Sequence, residues 1–146
     1  MSKIITHSAE ETIEVAKKIG SLLKGGDIIA YKGGLGVGKT TFTRGLAIGM
    51  RLSDEVISPT FTLVNEYLGD INLYHFDMYR IMNSEELETT GFYDYMSNDN
   101  VLAIEWSENI ADALPKDTIY IELIRIDDCT REIVINGGKR FENIRN

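Results

Sequence analysis

The spacing of apolar residues along the first third of the chain predicts a helix, a strand and a second helix. Ser8 with Glu11 three residues later has the form of a helix-capping box. Apolar residues then recur at helical spacing until Gly25-Gly26, which we expect to end the helix. The apolar run over residues 27–31 predicts a buried strand, and residues 40–48 predict the helix that follows it.

The pattern changes to that of strands after the Ser58-Pro59-Thr60 segment. Residues 61–67 and 71–76 predict two strands joined by a hairpin at 68–70. Further along, the pattern predicts a short acidic helix over 84–88, an apolar strand over 101–104, a helix over 108–114, and strands over 118–126 and 132–135. We therefore expect residues 1–146 to form one α/β domain, in which helices flank a mixed central sheet.

Residues 33–40 read G-x-x-x-x-G-K-T, the phosphate-binding P-loop motif, and they lie between the first predicted strand and its helix. The glycines allow successive backbone N–H groups to turn toward a phosphate, and the helix N-terminus attracts the same anion. We expect the Lys39 ammonium to contact the β- and γ-phosphates and the Thr40 hydroxyl to bind Mg²⁺. The motif thus predicts a single P-loop NTPase domain.

A P-loop enzyme also needs a carboxylate at the end of a neighbouring strand to hold the metal. Glu105 follows the apolar run 101–104, and Asp77 closes the run 73–76, so both are candidates. Thr60 lies in a loop where nucleotide switches keep a hydroxyl that senses the γ-phosphate, although spacing alone favours a simple turn residue. We interpret His75 as a packed or hydrogen-bonded histidine rather than a base, and Trp106 as packing beside Glu105.

Composition limits the classes of partner. The formal net charge of −8 argues against independent binding of nucleic acid, because neutralisation of phosphates dominates that affinity. A single cysteine, Cys129, excludes an internal disulfide framework and a cysteine-rich zinc site. Neither a membrane span nor the apolar core of a secretory signal is found in the sequence, so we expect a cytoplasmic protein.

Four segments together resemble one family closely, the TsaE (YjeE) family of small bacterial ATPases of the tRNA threonylcarbamoyladenosine machinery. They are the P-loop followed by Thr41, the S-P-T-F segment at 58–61, the L-Y-H-F-D-M-Y-R segment at 73–80, and I-E-W-S-E at 104–108. The resemblance extends over nearly the whole chain, in the same order. The third of these segments has Met78 where leucine is more common in the family, a substitution that nearly preserves volume.

The resemblance implies weak ATP hydrolysis by the protein alone and activation by two larger partners, TsaB and TsaD. That pair modifies the adenosine 3′ of the anticodon in ANN-decoding tRNAs, so contact with tRNA would be indirect. It further implies ATP and Mg²⁺ as ligands. The residues that would carry these roles are Lys39, Asp77, Glu105 and Thr60 for catalysis, Thr40 and Glu105 for the metal, and Thr6, Gly34, Leu35, Gly36, Val37, Gly38, Lys39, Thr40, Thr41 and Arg131 for the nucleotide.

Three alternatives are distinguishable from this ATPase. A GTPase is disfavoured because no N-K-x-D segment occurs in the chain. A small-molecule kinase is the main rival, but Arg80 is the only Lys or Arg between Arg51 and Lys116, which leaves little material for a cationic lid. A nucleotide-dependent interaction module with negligible turnover overlaps with this ATPase, and the distinguishing observation is whether the ATP state changes partner binding.

Overall fold

The computed structural model describes residues 1–33, 37–52, 56–57, 64–78, 83, 85–87, 91–105 and 107–144. Within these ranges eight strands form one mixed sheet, in the spatial order β1-β8-β7-β2-β6-β5-β4-β3. Their bounds are β1 Ser2–Thr6, β2 Ile28–Lys32, β3 Val56–Ile57, β4 Val64–Tyr67, β5 Asn72–Asp77, β6 Asn100–Glu105, β7 Ile119–Arg125 and β8 Arg131–Asn136.

The four central strands β7, β2, β6 and β5 are parallel, so their carboxyl ends meet at one edge of the sheet. β8 is antiparallel to both β7 and β1, which places the end of β1 and the start of β8 at this same edge. Antiparallel β4 and β3 complete the other side. Open α/β sheets bind ligands at the carboxyl ends of their strands, and we call this side the carboxyl edge.

Two α-helices pack on one face of the sheet, α1 (Ala9–Leu22) and α2 (Lys39–Gly49). The predicted capping box is confirmed: Glu11 N donates to Ser8 Oγ at 3.1 Å, and the Glu11 carboxylate accepts from His7 N. The helices touch closely at Gly45, where an added Cβ would lie 2.6 Å from Ala16 Cβ. A position without a side chain therefore sets the distance at which α2 sits on α1.

In the described part of the chain, the opposite face is covered by 3-10 turns, and no α-helix lies there. Residues 85–87 form such a turn within the predicted acidic helix. The helix predicted over 108–114 is a 3-10 helix, Ser107–Ala113, interrupted at Ile110, where φ is −128°. So short a segment, with Asn109 and Asp112 as weak helix formers, gains too little to nucleate an α-helix.

The sheet was otherwise predicted well, with two omissions. The hairpin between β4 and β5 and the terminal pair β7–β8 are confirmed as antiparallel pairs. β1 was missed because only Ile4 and Ile5 give it apolar character, and β3 because it has two residues. The larger hydrophobic core lies between the sheet and the two α-helices, with Ile29, Phe42, Leu46 and Ala103 fully buried.

Candidate functional site

The beginnings of the two α-helices differ in what caps them. α1 begins with Ser8 as its cap and has Glu10 and Glu11 in its first turn. α2 begins at Gly38, which offers no side-chain cap and adopts φ 100°, ψ 24°, and its first turn contains no acidic residue. The first N–H groups of a helix have no partners within it, and its positive end attracts anions. The start of α2 therefore suits an anionic ligand.

Lys39, the first residue of α2, is 6% exposed. Its Nζ donates to the Gly33 carbonyl at 3.1 Å and lies 3.4 Å from Glu105 Oε1. The ammonium therefore sits at the C-terminal end of β2, between backbone and carboxylate oxygens. This is the position from which a P-loop lysine reaches phosphates.

Glu105 is held from two sides. His75 Nε2 lies 2.9 Å from its Oε2, and Lys39 Nζ lies near its Oε1. Partial burial acts to raise the pKa of Glu105, but His75 and then Lys39 outweigh it and hold that pKa below its ordinary value. Glu105 is consequently an anion at neutral pH, as a metal ligand must be.

The sheet brings the two predicted carboxylates together. Asp77 and Glu105 are direct neighbours in the register of β5 and β6, at the carboxyl edge. The backbone continues this alignment, since Met78 N donates to the Glu105 carbonyl at 3.1 Å. Among the described residues no cluster of three or more His, Cys, Asp or Glu side chains could hold a metal alone, so an ion here would draw further ligands from phosphates and water.

A cavity of about 150 Å³ opens beside the start of α2. It is enclosed by the first turns of the two α-helices and by the turn and first residue that join β7 to β8. Its lining residues are Ala9, Thr12, Val37, Gly38, Thr41, Asp128, Cys129 and Arg131. This position, beside the predicted phosphate site, suits the nucleoside part of a nucleotide.

Thr6 is connected to this cavity by a hydrogen bond to one of its lining residues, Thr12. Its side chain is fully buried, and its Oγ1 is 2.6 Å from Thr12 Oγ1. Because the Thr12 hydroxyl donates to the Ser8 carbonyl, the Thr6 hydroxyl donates to Thr12. Of these two threonines, Thr12 is the one that lines the cavity, and sequence reasoning did not select it. Its sequence signal is a polar residue within the apolar face of α1.

Arg131 connects the β7–β8 turn to the P-loop. Its Nε donates to the Val37 carbonyl at 3.2 Å, and its Nη1 donates to the carbonyls of Asp127 and Thr130. Asp127 in turn accepts from the N–H groups of Cys129 and Thr130. These hydrogen bonds therefore hold the Arg131 guanidinium, which we predict to contact the nucleotide, at the wall of the cavity.

Several predicted site residues lie outside the described ranges. These are Gly34, Leu35 and Gly36 of the P-loop, Thr60 with its neighbours 58–61, and Trp106. The residues that border the 58–63 segment are placed, however: Ile57 pairs with Asn65, and Val64 with Phe76. Ile57 and Val64 therefore lie at the carboxyl edge. Thr40 and Thr41 are exposed in the first turn of α2.

A strand that leads into a glycine-rich loop, a helix that starts with a buried lysine, and an acid on the adjacent parallel strand define the P-loop NTPase fold. The crystal structure of Bacillus subtilis YdiB has this fold and superposes with a TM-score of 0.75, at 34% identity, over 96% of this chain and 88% of that one. The sequence model of the family described as "Threonylcarbamoyl adenosine biosynthesis protein TsaE" matches residues 6–133. The chain belongs to the TsaE family.

Individual relatives agree with this assignment. The TsaE protein of Bacillus subtilis is 40% identical over 94% of this chain and 87% of its own length. That of Treponema pallidum is 37% identical over 91% of this chain and 98% of its own. The resemblance in the four sequence segments is therefore confirmed, and with it a role in tRNA threonylcarbamoyladenosine biosynthesis.

The helices of the described ranges include none with the length and apolar character needed to cross a membrane.

Proposed function

We propose that this protein binds ATP with Mg²⁺ and hydrolyses it to support the TsaB–TsaD pair in threonylcarbamoylation of tRNA. The target is the adenosine 3′ of the anticodon in ANN-decoding tRNAs. The observation that supports this most directly is the position of Lys39, buried at the start of α2 and within 3.4 Å of Glu105. A binding site with this arrangement of cation, helix N-terminus and carboxylate suits a phosphate–metal complex.

In this proposal the triphosphate lies on the α2 N-terminus. Lys39 leaves the Gly33 carbonyl to contact the β- and γ-phosphates, and the backbone N–H groups of the first turn bind the same oxygens. The cavity beside Gly38 receives the nucleoside, with Thr12, Thr41 and Arg131 as its polar contacts. Thr6 supports that wall through Thr12.

The donor set fits magnesium. Thr40 supplies a hydroxyl and Glu105 a carboxylate, both oxygen ligands of the kind that Mg²⁺ prefers alongside phosphate and water. When bound, the ion would neutralise phosphate charge. Asp77, next to Glu105 in register, would orient the water around the phosphates, and Thr60 would report the state of the γ-phosphate to the partners.

The partner and compartment assignments complete the proposal. TsaB and TsaD bind the protein, and tRNA is reached only through them, since a chain with a net charge of −8 is a poor match for a polyanion. We place the protein in the cytoplasm, where the tRNA substrates of the TsaB–TsaD pair are.

The first test is the rate of ATP hydrolysis by the purified protein, with and without the matching TsaB–TsaD pair and with no small-molecule acceptor. We expect a low basal rate that rises at least tenfold with the pair. No response to the pair would contradict the proposal, and phosphate transfer to an added small acceptor would favour the kinase alternative.

Lys39→Ala tests whether the P-loop lysine is required for nucleotide binding and hydrolysis. We expect nucleotide binding and stimulated hydrolysis to fall by about 100-fold, because stabilisation of charge at the phosphates supplies a large share of the rate enhancement in such a site. Lys17→Ala, which removes a surface lysine of α1 that forms an ion pair with Glu14, is the control and should leave both unchanged. Turnover retained by Lys39→Ala would overturn the P-loop assignment.

A further inference from the structure

His75 is a buried side chain to which the proposed reaction gives no role. It lies on β5, is 4% exposed, and points to the same face of the sheet as Asp77, two residues later. Its Nε2 is 2.9 Å from Glu105 Oε2. A buried histidine next to a candidate metal ligand requires a physical reason.

The contact identifies which nitrogen carries the hydrogen. A bare Nε2 lone pair at this distance from a carboxylate oxygen would be repelled, so Nε2 bears the proton. Among the described residues Nδ1 has no hydrogen-bond partner, and Nε2 meets Glu105 Oε2 at 2.9 Å, off the ideal N–H direction. The imidazole therefore faces the Glu105 carboxylate at short range through Nε2, while Nδ1 makes no hydrogen bond to the described residues. Because most buried polar groups are hydrogen-bonded, this arrangement requires an explanation.

The imidazole is fixed by its surroundings. The Tyr31 ring meets it edge-on, with centroids 6.1 Å apart, and packs at a similar angle on Phe42. The Tyr31 hydroxyl donates to Thr43 Oγ1 at 2.7 Å, and Thr43 donates to the Lys39 carbonyl. Burial raises the pKa of Tyr31 strongly, so this hydroxyl remains a neutral donor. Tyr31 therefore joins the imidazole to α2, which also bears Lys39.

We propose that His75 is a positioning residue for the Glu105 carboxylate. By holding Oε2, the imidazole N–H turns Oε1 toward Lys39 and the phosphate side of the site. Groups that hold a metal ligand in this way set its orientation and basicity, and their loss commonly weakens metal binding about 10–100-fold. The inference rests on the proposed function, in which Glu105 helps to hold magnesium.

The test compares two substitutions at one position. His75→Phe keeps a buried ring but loses the N–H, whereas His75→Gln places an amide N–H near the position of Nε2. Affinity for a non-hydrolysable ATP analogue is measured by calorimetry with and without Mg²⁺, alongside thermal unfolding. We expect His75→Phe to lose about tenfold of the affinity gained from Mg²⁺, with magnesium-free affinity changed less than twofold. His75→Gln should keep most of the gain.

The outcomes separate the two proposals. If Mg²⁺ does not strengthen binding of the analogue by the natural protein, the Mg²⁺ site in the proposed function is wrong. If it does, and His75→Phe retains the full gain or His75→Gln loses as much as His75→Phe, the positioning role is overturned. Should His75→Phe not fold, His75→Asn, whose amide falls short of Oε2, is expected to show the same selective loss and replaces it in the comparison.

Discussion

Gly38 determines, at the scale of single residues, how the chain enters α2. Its left-handed backbone (φ 100°, ψ 24°) is one that residues with a Cβ adopt at a cost. No heavy atom of the described residues, its own neighbours aside, lies within 4 Å of where that Cβ would stand. The requirement for glycine is therefore conformational rather than steric.

The conformational requirement for glycine at position 38 predicts the effect of Gly38→Ala. We expect it to lower the free energy of unfolding by about 1–2 kcal/mol and also to weaken nucleotide binding, because the α2 N-terminus moves. Gly91→Ala is the matched control and should lose stability alone. Gly91 is another left-handed position (φ 77°), where the described residues offer an added Cβ a contact with the Asp94 carboxylate at 3.9 Å. Urea denaturation and calorimetric titration with ATP measure both; equal binding by the two variants would contradict the prediction.

Some residues of the candidate site could be predicted from the sequence, and others could not. Lys39 and Glu105 could be selected because a motif and a strand-end acid have recognisable spacing. Thr12 could not, since its place beside the cavity arises from the approach of α1 to the β7–β8 turn, which are distant in sequence. For His75, packing or hydrogen bonding was anticipated, but its contact with Glu105 depends on the register of two strands.

The elements with regular hydrophobic patterns were predicted best. α1 and α2 bury apolar residues at helical spacing, and β2 and β6 bury continuous apolar runs. The structure places all four within a few residues of the expected bounds. The helix predicted over 108–114 forms as the 3-10 helix Ser107–Ala113 rather than as an α-helix, since so short a segment has little tendency to be α-helical and Ile110 is buried in the core. β1 forms because β8 offers it a partner, which no local pattern reveals.

The β7–β8 hairpin carries a pH dependence of its own. The N–H groups of Cys129 and Thr130 hold the pKa of Asp127 below its ordinary value. A depressed pKa in the folded state contributes stability above the unfolded pKa, and this contribution is lost as pH falls through the folded pKa. Asp127→Asn should therefore be less stable than the natural protein at neutral pH, and the difference should shrink as the solution is acidified below the ordinary aspartate range.

Urea denaturation from neutral pH down to about pH 3, just below the ordinary aspartate pKa, measures this difference. Asp128→Asn is the neighbouring control, because Asp128 makes an exposed ion pair with Arg125, and such pairs contribute little. A gap between Asp127→Asn and the natural protein that stays constant across this range would show that the turn does not depend on the carboxylate charge.

On the scale of the whole molecule, the two edges of the sheet carry different tasks. The carboxyl edge holds the candidate site, whereas the opposite edge holds a structural link between the C-terminal segment and the start of β2. There Arg140 makes two hydrogen bonds of 2.9 Å to the Asp27 carboxylate and a third to the Leu22 carbonyl. That residues 1–146 form one domain stays a prediction.

Arg140→Ala should separate stability from function. We expect a loss of about 1–2 kcal/mol in unfolding free energy, reduced from the full value of a charged hydrogen-bonded pair because the guanidinium is a third exposed. ATP affinity at the far edge should stay within twofold. Arg140→Lys keeps the charge but not the paired geometry, so it should recover only part of the stability. A large loss of nucleotide affinity in Arg140→Ala would refute this division of tasks.

The contacts of Lys39 with the protein itself bear on product release. A buried ammonium left alone when a nucleotide departs would make departure costly, since an unpaired charge in a protein interior is strongly disfavoured. Here the Gly33 carbonyl and the Glu105 carboxylate stabilise the Lys39 ammonium when no nucleotide is bound. In the proposed cycle, ADP can therefore leave without a replacement ligand.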